Sequence, residues 1–396
     1  MPAMPTDAYD AVDLFSGPGG WDVAARDLGL HVLGIEFDAA ACRTRRAADL
    51  PTIEGDVRAF GPSDFPARGF IASPPCQTFS MAGKGSGRAA LDVVLASVKA
   101  LAAREQLPAD AFADDRTALV LEPLRWALEA IDAAVPYEWL AFEQVPTVLP
   151  VWEAMADVLR DEGYSVAVGR VSAEQFGVPQ TRKRAILVAR RHGEATLPVP
   201  THRPYKKGVL QTEGDPALLP WVSMADALGW GMSARPGLTV AVGTESGGAD
   251  AACVGGSGAR ASLNREREEG RWTLRPSFDG GYDMTKPRPS TEPAGTVTGK
   301  LRSGAWAYER PATTVVGSFC PDIIAAPGYR TTVSRQNAEG SVRVTPTEAA
   351  LLQSFPADYP WQGAKTKVFQ QIGNAIPPLL ARAVLAAAIA TEDISA

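Results

Sequence analysis

The sequence predicts an α/β protein whose larger part is an open, mostly parallel sheet with helices on both faces. Short apolar runs alternate with amphipathic segments through the first 200 residues, and a glycine-rich turn follows the first apolar run. This alternation is typical of βαβ units. The rhythm is lost after residue 201, where Gly, Pro, Ser and Thr dominate. That change predicts a second, smaller domain that is loop-rich and partly β.

The predicted strands are short apolar runs bounded by turn residues, at 9–15, 31–37, 52–57, 68–75, 137–145, 165–172 and 184–190. The predicted helices have apolar residues at helical spacing, at 21–30, 38–50, 122–134 and 151–164. Near the C-terminus, Thr345 and Glu348 form a capping pair that begins another helix, and prolines begin an apolar helix within 373–390. Ligands bind beyond the C-terminal ends of parallel strands, so functional residues are expected just after strands.

Composition narrows the class of protein. The 396 residues fit two domains, and 45% hydrophobic with 21% charged residues is ordinary for a globular chain. A helix that crosses a membrane needs about 20 consecutive apolar residues. The apolar runs of this sequence are judged too short, so we expect no membrane span. The N-terminus lacks a signal-peptide pattern, which predicts a cytoplasmic, nucleoid-associated protein. Four separated cysteines and three histidines argue against a disulfide framework or a metal site.

The net charge of -6 argues weakly against a nucleic-acid partner, but the distribution of charge matters more than the total. Basic residues cluster at 42–46, 181–192 and 202–207, away from the acidic stretches at 108–115 and 157–163. Taken alone, each basic cluster is expected to be solvated surface.

The turn at 13–20, DLFSGPGG, follows the first strand and lets a ligand approach the backbone closely. It does not complete the dinucleotide fingerprint, since Asp22 stands where the third glycine belongs. Two acids end the next strands. Glu36 is placed to accept the hydroxyls of a ribose, and Asp56 to accept an adenine amine; a surface acid or a helix cap is the alternative for either. Together with the turn they predict a pocket for an adenosine-containing cofactor.

The stretch SPPCQTFS, 73–80, presents Cys76 at the end of a strand on two prolines, among polar rather than apolar neighbours. The alternatives for this thiol are a nucleophile and a structural cysteine. GKGSGR, 83–88, is expected to be a mobile loop with Lys84 and Arg88 available to phosphates. Glu143 ends another strand on the same rim. Further along, Arg182 and Arg184 share one face of a strand while Lys183 points to the other.

In their order, these motifs resemble those of the DNA cytosine-5 methyltransferases. The match covers most of the chain. DLFSGPGG, Glu36 with Phe37, and GDV resemble the cofactor motifs, and SPPCQTFS resembles the nucleophile motif. FEQV, QTRKR, SVRVTPTEAALLQSFP and QQIGNAIPP resemble the later motifs. The one departure is Gln144, where the family usually has Asn.

The resemblance implies a Rossmann-like S-adenosylmethionine-dependent methyltransferase sheet. It assigns residues 1–200, completed by 366–396, to catalysis and cofactor binding. It assigns 201–340 to target recognition, and 341–365 to a hinge and helix. It implies S-adenosylmethionine as cofactor, S-adenosylhomocysteine as product, and no metal. The cofactor residues it implies are Phe15, Ser16, Gly17, Gly19, Glu36, Phe37, Asp56, Val57, Pro75 and Asn374.

The resemblance also implies a mechanism. Attack by Cys76 on C6 of a flipped cytosine activates C5 toward the methyl group, while Glu143 and Arg184 hold the ring and Arg182 supports the pocket. The DNA contacts it implies are Gln77, Ser80, Lys84 and Arg88. The partner is duplex DNA, a cognate restriction endonuclease is a further candidate partner, and a monomer is the simplest state. The alternatives are a tRNA cytosine-5 methyltransferase and a DNA-binding regulator without catalysis.

Overall fold

A computed structural model describes residues 9–75, 86–106, 112, 115–206, 209–211, 213–228, 273–276, 312–313, 322–325, 341–343 and 345–390. The described part is organised around one large sheet. Its strands in chain order are β1 (Ala11–Leu14), β2 (Val32–Glu36), β3 (Thr52–Glu54), β4 (Gly69–Ala72), β5 (Trp139–Gln144), β6 (Ser165–Ser172) and, after the short β7 (Gln180–Thr181), β8 (Lys183–Arg190).

The strand order in the sheet is β3-β2-β1-β4-β5-β8-β6. The first five of these strands are parallel, whereas β8 runs antiparallel to both β5 and β6. The prediction of a mostly parallel α/β sheet is therefore confirmed. The antiparallel β8 has a local consequence: its first residues lie beside the last residues of β5, with Gln144 opposite Ala185.

Helices cover both faces of the sheet, as the alternating pattern predicted. The helices are α1 (Gly20–Asp27), α2 (Ala39–Ala47), α3 (Ser86–Ala102), α4 (Asp115–Ala118), α5 (Glu122–Asp132), α6 (Leu149–Asp161), α7 (Met224–Leu228), α8 (Pro346–Leu352), α9 (Lys365–Asn374) and α10 (Pro378–Ile389). Helices α3, α5 and α6 bury apolar residues against one face of the sheet, and α1 and α10 do so against the other. Short 3-10 turns occur at Val57–Ala59, Pro62–Asp64, Leu119–Leu121, Pro146–Val148 and Ala173–Phe176.

The C-terminal segment corrects the expectation about apolar length. Lys365–Ile389 is long and apolar enough to cross a membrane, but 61% of its most apolar window is buried inside the protein. The prolines at 377 and 378 separate it into α9 and α10, and α10 packs against α1 and the sheet. Core packing accounts for its composition.

Two further expectations need correction. Residues 86–88 of the expected GKGSGR loop belong to α3, because the apolar residues that follow continue a helix of 17 residues. The basic cluster at 42–46 is not uniformly solvated, since Arg45 is fully buried while Arg46 is exposed. By contrast, the capping box of Thr345 and Glu348 forms at the start of α8 as predicted.

The region 201–340 contains few described residues, and its assignment to target recognition stays a prediction. Its described strands are β9 (Thr273–Pro276), β10 (Ala312–Thr313) and β11 (Asp322–Ala325), with β12 (Ser341–Arg343) just beyond. Strands β9, β11 and β12 form an antiparallel sheet, and β10 pairs in parallel with β7.

Candidate active site

A cavity of about 640 Å³ opens at the C-terminal ends of β1, β2, β4 and β5. It collects residues from every predicted cofactor and catalytic motif within the described chain. Those of its lining residues that the sequence singled out are Phe15, Ser16, Gly17, Glu36, Phe37, Asp56, Val57, Pro75, Glu143, Arg182, Arg184 and Asn374. Motifs more than 300 residues apart in sequence therefore meet in one space.

The turn after β1 has an unusual backbone. Phe15 has φ 60°, Gly17 φ 55° and Gly19 φ 103°, all in the left-handed region. The backbone of a residue other than glycine is strained in this region, and residues with such strain are often found at functional sites. The amide of Gly17 donates to Glu36 Oε2 at 2.7 Å, which ties the turn to the end of β2.

Gly19 does not line the cavity; it is the N-cap residue of α1. A Cβ on this residue would lie 2.3 Å from Leu50 Cδ1 and 2.9 Å from the Tyr359 hydroxyl. We expect Gly19→Ala to lower the free energy of unfolding by about 2 kcal/mol or more, because the backbone strain and the clash with Leu50 add. Urea unfolding measures this effect. Gly29→Ala, at another positive φ but with open space around it, isolates the backbone contribution.

Glu36 is held in place by backbone amides. Its Oε1 accepts from the amides of Phe37 at 2.8 Å and Asp38 at 2.7 Å. Burial raises the pKa of Glu36, while these hydrogen bonds act in the opposite direction. The next residue, Phe37, exposes 75% of its side chain beside the cavity. An oriented carboxylate next to an open aromatic face suits a ribose and a planar base.

Asp56 is already engaged. Its Oδ1 accepts from the amide of Arg58 at 2.9 Å and so caps a 3-10 turn, and its Oδ2 lies 2.6 Å from Arg58 Nη2. These hydrogen bonds hold the pKa of Asp56 below its usual value. The cap that stood as the alternative for this acid is therefore present, while the same carboxylate also lines the cavity.

Glu143 and Arg184 form a buried ion pair at the end of β5. Arg184 Nε lies 2.6 Å from Glu143 Oε1, and both side chains are at most 10% exposed. Among the described residues, Glu143 Oε1 has no partner with hydrogen-bond geometry. Arg182, also buried, donates to the Gly373 carbonyl at 3.0 Å and thus reaches α9, whereas Lys183 between the two arginines is exposed.

The approach to Cys76 is fixed by side chains on both sides. Gln144 Nε2 donates to the Pro74 carbonyl, and its Oε1 accepts from the Val145 amide. Trp21 Nε1 donates to Ser73 Oγ at 2.9 Å. The predicted residues Cys76, Gln77, Ser80 and Lys84 lie outside the described residues, and Arg88 is described only as backbone of α3. Gln144, the departure from the family pattern, binds the turn that leads to Cys76.

Several residues that secure the C-terminal segment were not singled out by the sequence. Thr44 Oγ1 donates to Gln371 Oε1 at 2.7 Å, Lys367 lies 3.1 Å from Asp38, and the Tyr359 hydroxyl donates to the Pro18 carbonyl. Nothing in the sequence of the C-terminal segment indicates these partners, which are more than 300 residues away. The contacts place Asn374, at the end of α9, on the cavity wall.

Asp13 is a further residue that the sequence did not single out. It lies in β1, is fully buried, and neither carboxyl oxygen has a hydrogen-bond partner among the described residues. Burial raises the pKa of Asp13 well above its usual value; Asp22 adds to the rise and Arg45 opposes it. The only signal for it was a charged residue inside an otherwise apolar strand.

The raised pKa of Asp13 predicts a dependence of stability on pH. The folded chain keeps a proton that the unfolded chain releases above about pH 4, so stability falls as pH rises toward the folded pKa. We expect Asp13→Asn to gain stability relative to wild type across this window, by at most about 1.4 kcal/mol per pH unit. Urea unfolding at several pH values between about 5 and 8 checks this. Asp27→Asn, on the exposed end of α1, serves as control, and parallel curves for Asp13→Asn and wild type would contradict the assignment.

The sheet and cavity define a Rossmann-like α/β protein with an open cavity at the C-terminal edge of its parallel strands. The family model of the C-5 cytosine-specific DNA methylases matches residues 9–97, 112–220 and 260–390. The chain belongs to this family.

Among curated proteins, the chain is similar to the type II methyltransferase M1.HphI of Haemophilus parahaemolyticus, with 27% identity over 96% of this chain and 86% of that protein. It is also 27% identical to the type II methyltransferase M.Eco47II of Escherichia coli, over 96% of this chain and 78% of that one. The fold is similar to that of a putative DNA modification methyltransferase encoded within a prophage (E. coli), with TM-score 0.54, 16% identity and coverage of 96% and 98%. The S. pombe Dnmt2 methyltransferase gives TM-score 0.54, 14% identity and coverage of 96% and 97%.

Proposed function

We propose that this chain transfers a methyl group from S-adenosylmethionine to C5 of a flipped cytosine in a specific duplex DNA sequence. The observation that carries the proposal is the single cavity that joins Glu36 and Phe37 to the Glu143–Arg184 pair and to Pro75, the residue before Cys76. One end of this cavity suits an adenosine and the other suits a planar base. Membership of the cytosine-5 family supports the same reading.

The residues present fit the cofactor. Glu36 is oriented by three backbone amides and faces the cavity, where it would accept the ribose hydroxyls. Phe37 would stack on adenine, and Asp56 and Val57 would border its edge. Phe15 to Gly17 and Asn374 would surround the methionine part. When bound, S-adenosylmethionine supplies an electrophilic methyl group.

On the base side, the chain would hold the cytosine while Cys76 reacts. The Cys76 thiolate would add to C6 and make C5 nucleophilic, which a ring of low reactivity requires. After C5 has taken the methyl group, loss of the C5 proton to a base would break the S–C6 bond, release the thiolate and restore the ring. Glu143, whose carboxylate lies in the cavity wall and is paired through Oε1 with Arg184, would bind N3 and the exocyclic amine. Arg184 would keep Glu143 in position and bind O2, and Arg182 would hold the wall formed by Gly373. The base must be flipped out, because a stacked cytosine cannot reach such a buried pair. Unstacking and unpairing the base costs a few kcal/mol.

The proposed substrate is duplex DNA rather than RNA, with residues 201–340 reading the major groove, where all four base pairs are distinguishable. The DNA-side residues proposed on family resemblance are Gln77, Ser80, Lys84 and Arg88. The names of the curated relatives support a role in restriction and modification, with a cognate endonuclease as partner. The likeness to S. pombe Dnmt2 is a likeness of fold and does not by itself favour RNA.

Bisulfite sequencing of DNA from cells that express the chain tests the proposal. The expected result is complete modification of cytosine within one short sequence and background elsewhere. A parallel assay of the purified protein with labelled S-adenosylmethionine compares unmethylated duplex DNA with tRNA. Transfer to tRNA alone would favour the RNA alternative. Binding of DNA and S-adenosylhomocysteine without any transfer would favour a regulator that lacks catalysis.

A further inference from the structure

We propose that Arg45 is a positioning residue for the cofactor: its buried guanidinium holds the turn at Ser16 in its binding conformation from beneath. This inference rests on the proposed function, because it concerns the cofactor side of the same cavity. Arg45 does not line the cavity itself, and nothing in the sequence distinguished it from its basic neighbours in α2.

The guanidinium of Arg45 uses all of its donors. Nη1 donates to Asp22 Oδ2 at 2.7 Å and to the Ser16 carbonyl at 3.4 Å. Nη2 donates to Asp22 Oδ1 at 2.7 Å and to the Pro51 carbonyl at 3.0 Å, and Nε donates to Thr52 Oγ1 at 3.1 Å. An arginine has five N–H donors in a fixed fork, so this environment satisfies it completely.

The acceptors belong to segments that must keep a fixed spacing. Ser16 is in the cofactor turn, Asp22 is in the helix that follows the turn, and Pro51 and Thr52 lead into β3. Ser16 is in turn bound to the end of β2 through its amide and hydroxyl, both directed at the Ile35 carbonyl. A single side chain thus joins the turn, α1 and β3 underneath the cavity.

The sequence is adapted to this arginine at Gly34 in β2. A Cβ at Gly34 would lie 1.9 Å from Arg45 Nη2 and 2.6 Å from Ser16 Oγ. Glycine inside a strand marks a close approach by another group, and here that group is the guanidinium. Asp22 balances its charge, with both side chains at most 3% exposed. The Ser16 carbonyl is the acceptor through which this buried side chain reaches the turn after β1.

The first test replaces the ion pair by apolar residues and compares stability with cofactor affinity. Arg45→Met alone leaves the Asp22 carboxylate buried and unpaired, so we expect it to fold poorly. The double variant Asp22→Leu/Arg45→Met removes both charges and is expected to recover a melting temperature within a few degrees of wild type. Its Kd for S-adenosylhomocysteine, measured by calorimetry well below that temperature, is expected to stay about tenfold or more weaker, because the Ser16 and Pro51 carbonyls lose the guanidinium and keep only the amides of Gly19 and Gly34 as donors. Recovery of affinity together with stability would overturn the positioning role.

The second test is Arg45→Lys, which keeps the charge opposite Asp22 but cannot reach Ser16, Pro51 and Thr52 together. We expect the KM for S-adenosylmethionine to rise about tenfold while kcat at saturating cofactor and the Kd for DNA change by less than about threefold. Unchanged KM in a folded Arg45→Lys protein would also overturn the role, whatever the double variant does. Arg46→Met is the matched control on the same helix, since Arg46 is exposed and pairs only at the surface with Glu54.

The two proposals fail in distinguishable ways. If wild-type protein bound no S-adenosylhomocysteine and transferred no methyl group, the proposed function would fail before any variant was compared. If wild type bound the probe and the Arg45 variants bound it equally well, only the positioning role would fail.

Discussion

Cys76→Ser is expected to abolish methyl transfer to duplex DNA, with a loss on the order of 10⁴-fold or more in kcat. A serine hydroxyl is far less ionised and less nucleophilic than a thiol at neutral pH, so the attack on C6 fails. Transfer of a labelled methyl group to unmethylated DNA measures the effect. The same variant is expected to bind S-adenosylhomocysteine as wild type does, because Pro75 and the cofactor residues are unchanged.

Cys42→Ser is the matched control for this prediction. Cys42 is buried in α2, its thiol donates to the Glu36 carbonyl, and burial raises its pKa to about 11. A thiol with such a pKa is almost entirely protonated at neutral pH and cannot be the nucleophile. We therefore expect Cys42→Ser to retain activity. Full activity of Cys76→Ser would refute the covalent mechanism.

Glu143→Gln is expected to lower kcat by about 10²- to 10³-fold with little change in the Kd for S-adenosylhomocysteine. The glutamine keeps the size of the side chain but cannot donate a proton to N3, and it leaves Arg184 without its counter-charge at 2.6 Å. Single-turnover kinetics separate the chemical step from product release.

Glu174→Gln provides the control for a buried carboxylate outside the cavity. Glu174 is 5% exposed in the 3-10 turn before β7, and burial raises its pKa. Its replacement is expected to change stability without changing kcat. An equal loss of kcat in both variants would mean that removal of a buried charge, and not the position of Glu143, causes the loss.

The residues proposed to hold the base could be singled out from their positions at the ends of strands. Period-two patterning placed Arg182 and Arg184 on one face and Lys183 on the other; in the structure both arginines are buried and the lysine is exposed. Parallel topology was expected to bring Cys76 and Glu143 to one rim. Cys76 lies outside the described residues, and Pro75 before it lines the same cavity as Glu143. The antiparallel direction of β8 was not predicted. It explains why Arg184, at the beginning of its strand, meets Glu143 near the end of another.

Errors arose where a local pattern had two physical solutions. Residues 86–88 were predicted to be part of a loop because glycine and serine favour turns. In the structure they form the first turn of α3, which continues into an apolar stretch. The C-terminal segment is long and apolar enough to cross a membrane, and its packing against α1 and the sheet explains this composition. Arg45 was predicted to lie on the solvated surface, because a charged residue is rarely buried without a partner. Its partner, Asp22, lies in α1 and could not be predicted from the sequence of α2 alone.

The sequence by itself determined the α/β class, the order of the motifs and the chemical types of the residues at each strand end. These follow from local periodicity and from residue identity, which need no knowledge of distant contacts. Only the tertiary structure decided which side chains meet: Glu143 with Arg184, Asn374 on the cavity wall, and Arg45 beneath the cofactor turn. These contacts depend on strand direction and on the packing of segments remote in sequence. That packing follows from the burial of the whole chain and not from any single stretch of it.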